Sequence, residues 1–228
     1  MTARTLKIIA VMAMTIDHIG LYLLPDGSIF YDLSRAVGRI AFPLFAFFIA
    51  EGFAHTTNLK KYFMRLLVYA AVIELGLLVY YLVTQENLLF VANVFWVLVF
   101  GLGALWLAHR SRWSYQAFII VLLFGAEWLQ IPYGAYGIFM ILMFGFVRKP
   151  QWQILGMILI NLMFINYPLY VLFGHYEFAK YPWIQWCSLI AMVPLFFYNH
   201  LRGRGSKWLF YLYYPLHLAV ILGIRYLI

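Results

Sequence analysis

Apolar segments of about twenty residues, the length an α-helix needs to cross a bilayer, follow one another along this chain. The sequence is 66% hydrophobic and 11% charged, whereas a soluble domain has about 25% charged residues. It therefore predicts an all-α polytopic membrane protein, a bundle of about nine transmembrane helices forming a single domain over residues 1–228. The predicted spans are 6–24, 37–55, 63–83, 88–108, 114–129, 133–147, 152–174, 182–199 and 208–227.

The first, fifth and sixth of these segments differ from a simple membrane-crossing helix. Segments 114–129 and 133–147 are short, and only the turn-like sequence QIPYG separates them, so they either tilt, re-enter or cross fully. The first segment contains Asp17 and His18 and lacks a small-residue cleavage site, so we expect a retained span and not a signal peptide.

The basic residues indicate an orientation. Most of the sixteen Lys and Arg fall in alternate loops, which under the positive-inside rule predicts a cytoplasmic N-terminus and an outer C-terminus. The net charge of +8 is thereby explained without a nucleic-acid partner. The single cysteine, Cys187, lies in an apolar run and is expected to be a packing residue.

Several ionisable residues lie inside the apolar segments. An ionised Asp at a helix centre costs about 2.5–3.5 kcal/mol on insertion scales, so Asp17 needs a structural or chemical role. At the rise of an α-helix, His18 and Glu74 reach similar depths in their spans, and His217 matches them from the last one. Arg39 is expected slightly outward of them. We therefore predict one intramembrane chamber in which these groups meet.

Each of these residues also has a simpler interpretation. Arg39 neutralises either Asp17 or Glu74, which is also what a purely structural ion pair does. A lone intramembrane His is often only a hydrogen-bond donor or acceptor between helices. Asp17 and His18 diverge by about 100° on a helix, so they should contact different neighbours. The glycines of the first three spans, Gly20, Gly38, Gly52 and Gly76, are expected to permit close helix packing.

Five stretches resemble the TraX family, known for acetylating the pilin of conjugative plasmids. The first two are LKIIAVMAMTIDHIG and GRIAFPLFAFFIAEGF, and NVFWVLVFGL, YGAYGIFMILMFG and FYLYYPLHLAVIL follow in the same order. A more distant resemblance is to the acyltransferase-3 membrane enzymes. Their Arg, ten residues, His pattern is matched by Lys7 and His18, and their R-x-x-x-P-x-F stretch is matched from Arg39. Glu51 stands where that group has a serine.

These resemblances imply an acetyltransferase in the bacterial inner membrane that takes its acetyl group from cytoplasmic acetyl-CoA. The implied acceptor is a pilin-like peptide or an envelope glycan. The implied catalytic base or nucleophile is His18, with Asp17 or Glu74 holding its tautomer and Arg39 or Tyr214 stabilising an oxyanion. His217 matches the TraX-like pattern and completes the candidate catalytic set. The predicted cofactor-binding residues are Lys7, Lys60, Lys61, Arg65, Tyr214, Arg204 and Lys207.

Two other functions compete with this one. The buried acids and histidines could form the proton relay of a transporter, although no inverted repeat is visible. The chain could also be an assembly scaffold without chemistry. A metal site is not predicted, because the six histidines are scattered.

Overall fold

The computed structural model describes residues 1–88, 93–110, 112–166, 182–203 and 207–228, with the backbone alone for 166, 182 and 207–211. Every regular element in these ranges is helical. The helices are α1 (Ala3–Leu23), α2 (Ile29–Gly38), α3 (Ala41–His55), α4 (Leu59–Thr84), α5 (Phe95–Ala108), α6 (Trp113–Trp128), α7 (Gly134–Phe146), α8 (Pro150–Asn161), α9 (Pro182–Trp186), α10 (Met192–Phe196) and α11 (Lys207–Leu227). A π-helical turn, Leu162–Asn166, extends α8, and a 3₁₀ turn, Cys187–Ala191, joins α9 to α10.

Among the described residues, three helical stretches are long and apolar enough to cross a membrane: Ala3–Leu23, Ile29–His55 and Leu59–Thr84. Several shorter apolar helices accompany them. After Arg65 the exposed residues of α4 are all apolar, with Leu75 61% and Leu82 63% exposed, as a lipid-facing surface requires. The prediction of an all-helical membrane protein is confirmed for the described residues. Predicted spans 88–108 and 152–174 extend in part over residues outside them.

The second membrane-spanning stretch begins earlier than predicted. We expected residues 37–55, but helix starts at Ile29, where the Ser28 side chain accepts a hydrogen bond from the backbone N–H of Tyr31. The polar residues between Ile29 and residue 37 were expected to belong to a loop. They lie instead on the buried face of α2, and Ile29 and Phe30 point outward, so α2 is apolar on its outer face and polar within.

The chain divides into two compact units, with the boundary inside α3. The first unit comprises Met1–Phe45 and Tyr181–Ile228, and the second comprises Ala46–Lys180. In the second unit α5 packs against α4, α6 and α7. Gly101 lies against Ile141, and Gly145 lies against Leu105, so the α5 and α7 backbones approach closely.

The first unit is built on α1, which packs against both α2 and α11. Close approach of α1 and α2 depends on two glycines. A Cβ at Gly20 would lie 1.7 Å from Ser34 Oγ, and one at Gly38 would lie 2.0 Å from Asp17 Oδ1. The packing role expected of these glycines is therefore confirmed.

Candidate functional site

Arg35 of α2 and Arg39, the residue that continues the helical turn at its C-terminal end, hold the Asp17 carboxylate. Arg35 Nη1 lies 2.8 Å from Asp17 Oδ2, and Arg39 Nη2 lies 3.2 Å from Asp17 Oδ1. All three side chains are buried: Asp17 is 12% exposed, Arg35 8% and Arg39 5%. Because the arginines are four residues apart on one helix, they share a face and bracket the carboxylate. The two guanidinium groups thus supply the counter-charge that a buried carboxylate needs.

Arg39 also makes contacts that fix its orientation. Its Nε donates to the backbone carbonyl of Arg35 at 3.3 Å, and its Nη1 donates to Gln185 Oε1 at 3.4 Å. The partner expected of Arg39 was Asp17 or Glu74, and the structure gives it Asp17. Arg39 therefore joins α2 to both α1 and α9 in the first unit.

His18 and His217 form a hydrogen-bonded pair between α1 and α11. His18 Nδ1 lies 2.8 Å from His217 Nε2, and the two ring planes are 3° from parallel. Tyr214 meets the His217 ring edge-on at 5.3 Å, and Tyr22 lies 5.9 Å from the His18 ring. The residues 17 and 18 thus contact different helices, as their angular separation predicts.

The hydrogen bonds of this pair determine where its protons lie. His217 Nδ1 is 3.0 Å from the backbone carbonyl of Tyr213, which can only accept, so Nδ1 carries a proton. In a neutral imidazole the other nitrogen, Nε2, is then an acceptor. His18 Nδ1 must therefore donate to it. This leaves the lone pair on His18 Nε2, for which the described part of the chain offers no hydrogen-bond partner.

Tyr213 supports this arrangement from one turn before His217. The Thr15 hydroxyl donates to the Val11 carbonyl at 2.8 Å and accepts from the Tyr213 hydroxyl at 2.9 Å. The Tyr213 ring also stacks on His217 with centroids 5.3 Å apart. Tyr213 thus holds His217 through its ring and its carbonyl together.

The structure brings together four of the five predicted catalytic residues, Asp17, His18, Arg39 and His217, in the first unit. Glu74 belongs to the second unit, where its carboxylate accepts hydrogen bonds from Asn93 Nδ2 and Trp96 Nε1, each at 2.8 Å. Asp17 or Glu74 was expected to hold the His18 tautomer. His18 Nδ1 donates its hydrogen bond to His217 Nε2 instead, because Asp17 faces α2.

Arg35 is the residue of this site that the sequence analysis did not identify. Arg35 lies before residue 37, where the second span was predicted to begin, so it was not placed in a helix. Its spacing of four residues from Arg39 was the available signal, since that spacing puts two side chains on one helix face. Gln185 and Tyr213 carried no comparable signal.

The predicted cofactor-binding residues lie in both units. Lys7 is half-buried on α1. Lys60, Lys61 and Arg65 are exposed at the start of α4, and the Arg65 guanidinium lies 5.5 Å from the Tyr62 ring centroid. Arg204 and the side chain of Lys207 lie outside the described residues. Tyr214 is buried beside the histidine pair.

Glu51, whose role the resemblance left open, lies beside two basic side chains of the second unit. Its carboxylate lies 3.2 Å from Arg148 Nη1 and 3.5 Å from His55 Nε2. Among the described residues, no group of three or more His, Cys, Asp or Glu side chains is placed to hold a metal ion.

Comparison with known proteins places these features in a family. The family described as TraX protein matches residues 2–225. A Dichelobacter nodosus protein named "Probable fimbrial assembly protein FimC, serogroup H1" is 32% identical over 237 residues, which covers 96% of this chain and 94% of that protein. An uncharacterized protein of Rickettsia prowazekii (strain Madrid E) is 31% identical over 152 residues, covering 64% of this chain and 55% of its own. No solved structure matches.

Proposed function

The chain belongs to the TraX family, and from this premise we propose that it is an integral membrane acetyltransferase. It moves an acetyl group from acetyl-CoA to an amine or hydroxyl acceptor, such as the N-terminus of a pilin. The fimbrial role in the name of the Dichelobacter relative supports an acceptor of this kind. The observation that carries the proposal is the His18–His217 hydrogen bond, which directs an imidazole lone pair away from the pair.

In the proposed reaction, His18 Nε2 is the general base. It removes a proton from the acceptor N–H or O–H as the acceptor attacks the thioester carbonyl carbon. The tetrahedral intermediate then collapses, the C–S bond breaks, and the His18 imidazolium returns the proton to the CoA sulfur. In a variant of this route, His18 Nε2 attacks the thioester carbonyl carbon, the C–S bond breaks to release CoA, and the acceptor then takes the acetyl group from the acetyl-imidazole and frees Nε2.

The neighbours of His18 have distinct proposed roles. His217 keeps His18 in the Nδ1–H tautomer and shares the positive charge when Nε2 is protonated, the task an acid performs in a Ser-His-Asp triad. Arg39 or the Tyr214 hydroxyl donates to the oxyanion of the intermediate. Asp17 holds Arg39 and Arg35 in place, so it is a positioning residue.

The proposal includes a topology. We propose nine crossings in the bacterial inner membrane, with a cytoplasmic N-terminus and an outer C-terminus. The donor then enters from the side on which acetyl-CoA is made, with basic residues of the cytoplasmic rim attracting its phosphates. The acceptor arrives from the outer side or from within the bilayer.

Acetyl transfer by the purified protein tests the proposal. The protein in liposomes is given acetyl-labelled acetyl-CoA and a peptide with a free N-terminal amine, and the labelled peptide is measured. The His18→Ala variant should lose about 10²–10⁴-fold in rate, the usual contribution of a general base. The matched control is His55→Ala, because His55 is a highly exposed histidine of the second unit.

Three results contradict the proposal. Full transfer by His18→Ala would remove His18 from the mechanism. Absence of transfer by the folded wild-type protein, together with proton-coupled solute uptake by the same liposomes, would favour the transporter. If neither activity is present and His18→Ala still supports pilus assembly in cells, the chain acts as a scaffold.

A further inference from the structure

The N-terminal residues pair with the loop that precedes α11, in an arrangement we call the N-terminal clasp (residues 1–4 and 197–203). The Ala3 N–H donates to the Leu201 carbonyl at 2.8 Å, and the Arg4 N–H donates to the Arg202 carbonyl at 3.3 Å. The Met1 ammonium donates to the Phe197 carbonyl. A segment that would otherwise be a free tail is thereby held in one place.

Gly203 permits the two segments of the clasp to approach. Its φ of +74° is a left-handed conformation that favours glycine. A Cβ there would lie 2.8 Å from Thr2 Oγ1 and 3.0 Å from Arg4 Cβ. The backbone of Arg202 and the base of the Arg4 side chain therefore lie side by side.

The clasp gathers cationic side chains at the start of α1. Arg4 and Arg202 are exposed, and Lys7 lies one turn after Arg4 on the same helix face. Three cationic side chains that start from neighbouring backbone positions raise the local positive potential, and a positive potential attracts anions. The first backbone N–H groups of α1 are not available to such an anion, because those of Ala3, Arg4 and Thr5 already donate within the clasp. Binding must come from the side chains.

We propose that Arg4, Lys7 and Arg202 form a binding site for phosphate groups, and that its ligand is the phosphorylated nucleotide end of coenzyme A. This inference rests on the proposed acetyl transfer and specifies where its donor binds. Arginine suits the role because its planar guanidinium binds phosphate with two parallel hydrogen bonds. His18 lies eleven residues beyond Lys7, about 16 Å along the helix axis. Coenzyme A separates its phosphates from its thioester by a long flexible arm, as that distance requires.

Removing the phosphates from the donor tests the site. Transfer is measured with acetyl-CoA and with S-acetylpantetheine, which has the same thioester and no phosphate. The Arg4→Gln, Arg202→Gln double variant should raise the KM for acetyl-CoA at least tenfold and leave the KM for S-acetylpantetheine unchanged. The matched control is Arg110→Gln, Arg112→Gln, which removes the same charge from another loop and should change neither KM. An equal change with both donors in the Arg4, Arg202 variant would overturn the inference.

Binding of coenzyme A, measured by calorimetry in nanodiscs of zwitterionic lipid, separates this inference from the proposed function. The wild-type protein should bind and the double variant should bind at least tenfold more weakly, whether or not transfer occurs. If both bind equally while transfer proceeds, the inference fails and the proposed function stands. If the double variant differs from wild type only when anionic lipid is present, the site binds a lipid headgroup and the coenzyme A assignment is wrong.

Discussion

Asp17 and Asp32 are two acids of the same unit with opposite surroundings. Asp17 is held by two guanidinium groups. Asp32 Oδ1 is buried without a hydrogen-bond partner in the described part of the chain, and Asp32 lies in the first turn of α2. Removing one member of a buried ion pair leaves its partner charged and unpaired. Removing an acid that has no ion-pair partner leaves no such charge behind.

Substitution of each acid by Asn should therefore have unequal effects on stability. Asp17→Asn is expected to lower the free energy of unfolding by about 3–5 kcal/mol, because two arginines lose their counter-charge. Asp32→Asn should change it by less than about 1 kcal/mol, the size of a favourable interaction with the helix dipole. Thermal unfolding of both variants in the same detergent measures the difference. Equal shifts in Tm would show that the Asp17 pairing does not stabilise the fold.

His217 is expected to act through the tautomer of His18. His217→Leu removes the acceptor of the His18 Nδ1 proton, so kcat should fall by about 10²–10⁴, as when the orienting acid of a triad is lost. His217→Gln retains a carbonyl oxygen that can accept this proton and should restore part of the rate. The KM for acetyl-CoA should stay constant in both. Equal kcat values for Leu and Gln would assign His217 a packing role only.

Single residues were predictable where depth and charge decided their position. The rise of a helix put His18 and His217 at similar depth, and they are hydrogen-bonded. The need of a buried guanidinium for an acid limited the expected partner of Arg39 to Asp17 or Glu74, and the structure gives it Asp17. The second arginine on Asp17 was not predictable in this way, because α2 was not expected to reach Arg35. The side on which His18 meets His217 depends on packing between α1 and α11, which one sequence does not reveal.

At the level of helices, the contact between α1 and α2 depends on the absence of a side chain at Gly38. A Cβ there would overlap the Asp17 carboxylate. Gly38→Ala should destabilise the protein by about 1–3 kcal/mol, the usual effect of overpacking. Gly223→Ala is the control, since a Cβ at Gly223 on α11 meets nothing within 4 Å. Unfolding in detergent compares the two. A tolerated Gly38→Ala would mean that the helices can separate without loss.

The helices were easier to predict than their ends and contacts. Apolar length identified α1, α3 and α4. The start of α2 was missed because its polar residues face inward, the reverse of the pattern that a water-exposed helix shows. Close packing was correctly expected of Gly20, Gly38 and Gly52, the last of which lies against Tyr62. The same expectation was wrong for Gly76, where a Cβ would meet no atom of the described residues within 4 Å.

For the whole molecule, the N-terminal clasp constrains topology. The clasp holds the N-terminus beside residues 197–203, and α11 then runs from Lys207 to Leu227 toward the C-terminus. Twenty-one residues of helix rise about 31 Å, enough to cross the hydrocarbon core. Leu201 and Ile228 should therefore lie on opposite sides of the membrane.

Cysteine labelling in intact cells tests this arrangement. Cys187, the native cysteine, is first replaced by Ser. A membrane-impermeant maleimide should then label Ile228→Cys and leave Leu201→Cys unlabelled until the membrane is permeabilised. Both native side chains are well exposed, so access to water is not the limiting factor. Labelling of both sites in intact cells would contradict the proposed orientation.

The division into two units could not be predicted. The first unit joins Met1–Phe45 to Tyr181–Ile228, and nothing in local hydrophobicity indicates that segments so distant in sequence pack together. Hydropathy and charge predict which segments enter the membrane and in which orientation, but they do not predict which helices pack against each other.

The pairing of the first long helix with the last has a consequence for biosynthesis. His18 and His217 are 199 positions apart. At a translation rate of about 5–20 residues per second, His217 is added roughly 10–40 s after His18. During that interval the nascent chain holds an imidazole in the bilayer without the neighbour that sets its protons. In the proposed chemistry His18 depends on His217, so a polypeptide released before His217 is added should lack that activity.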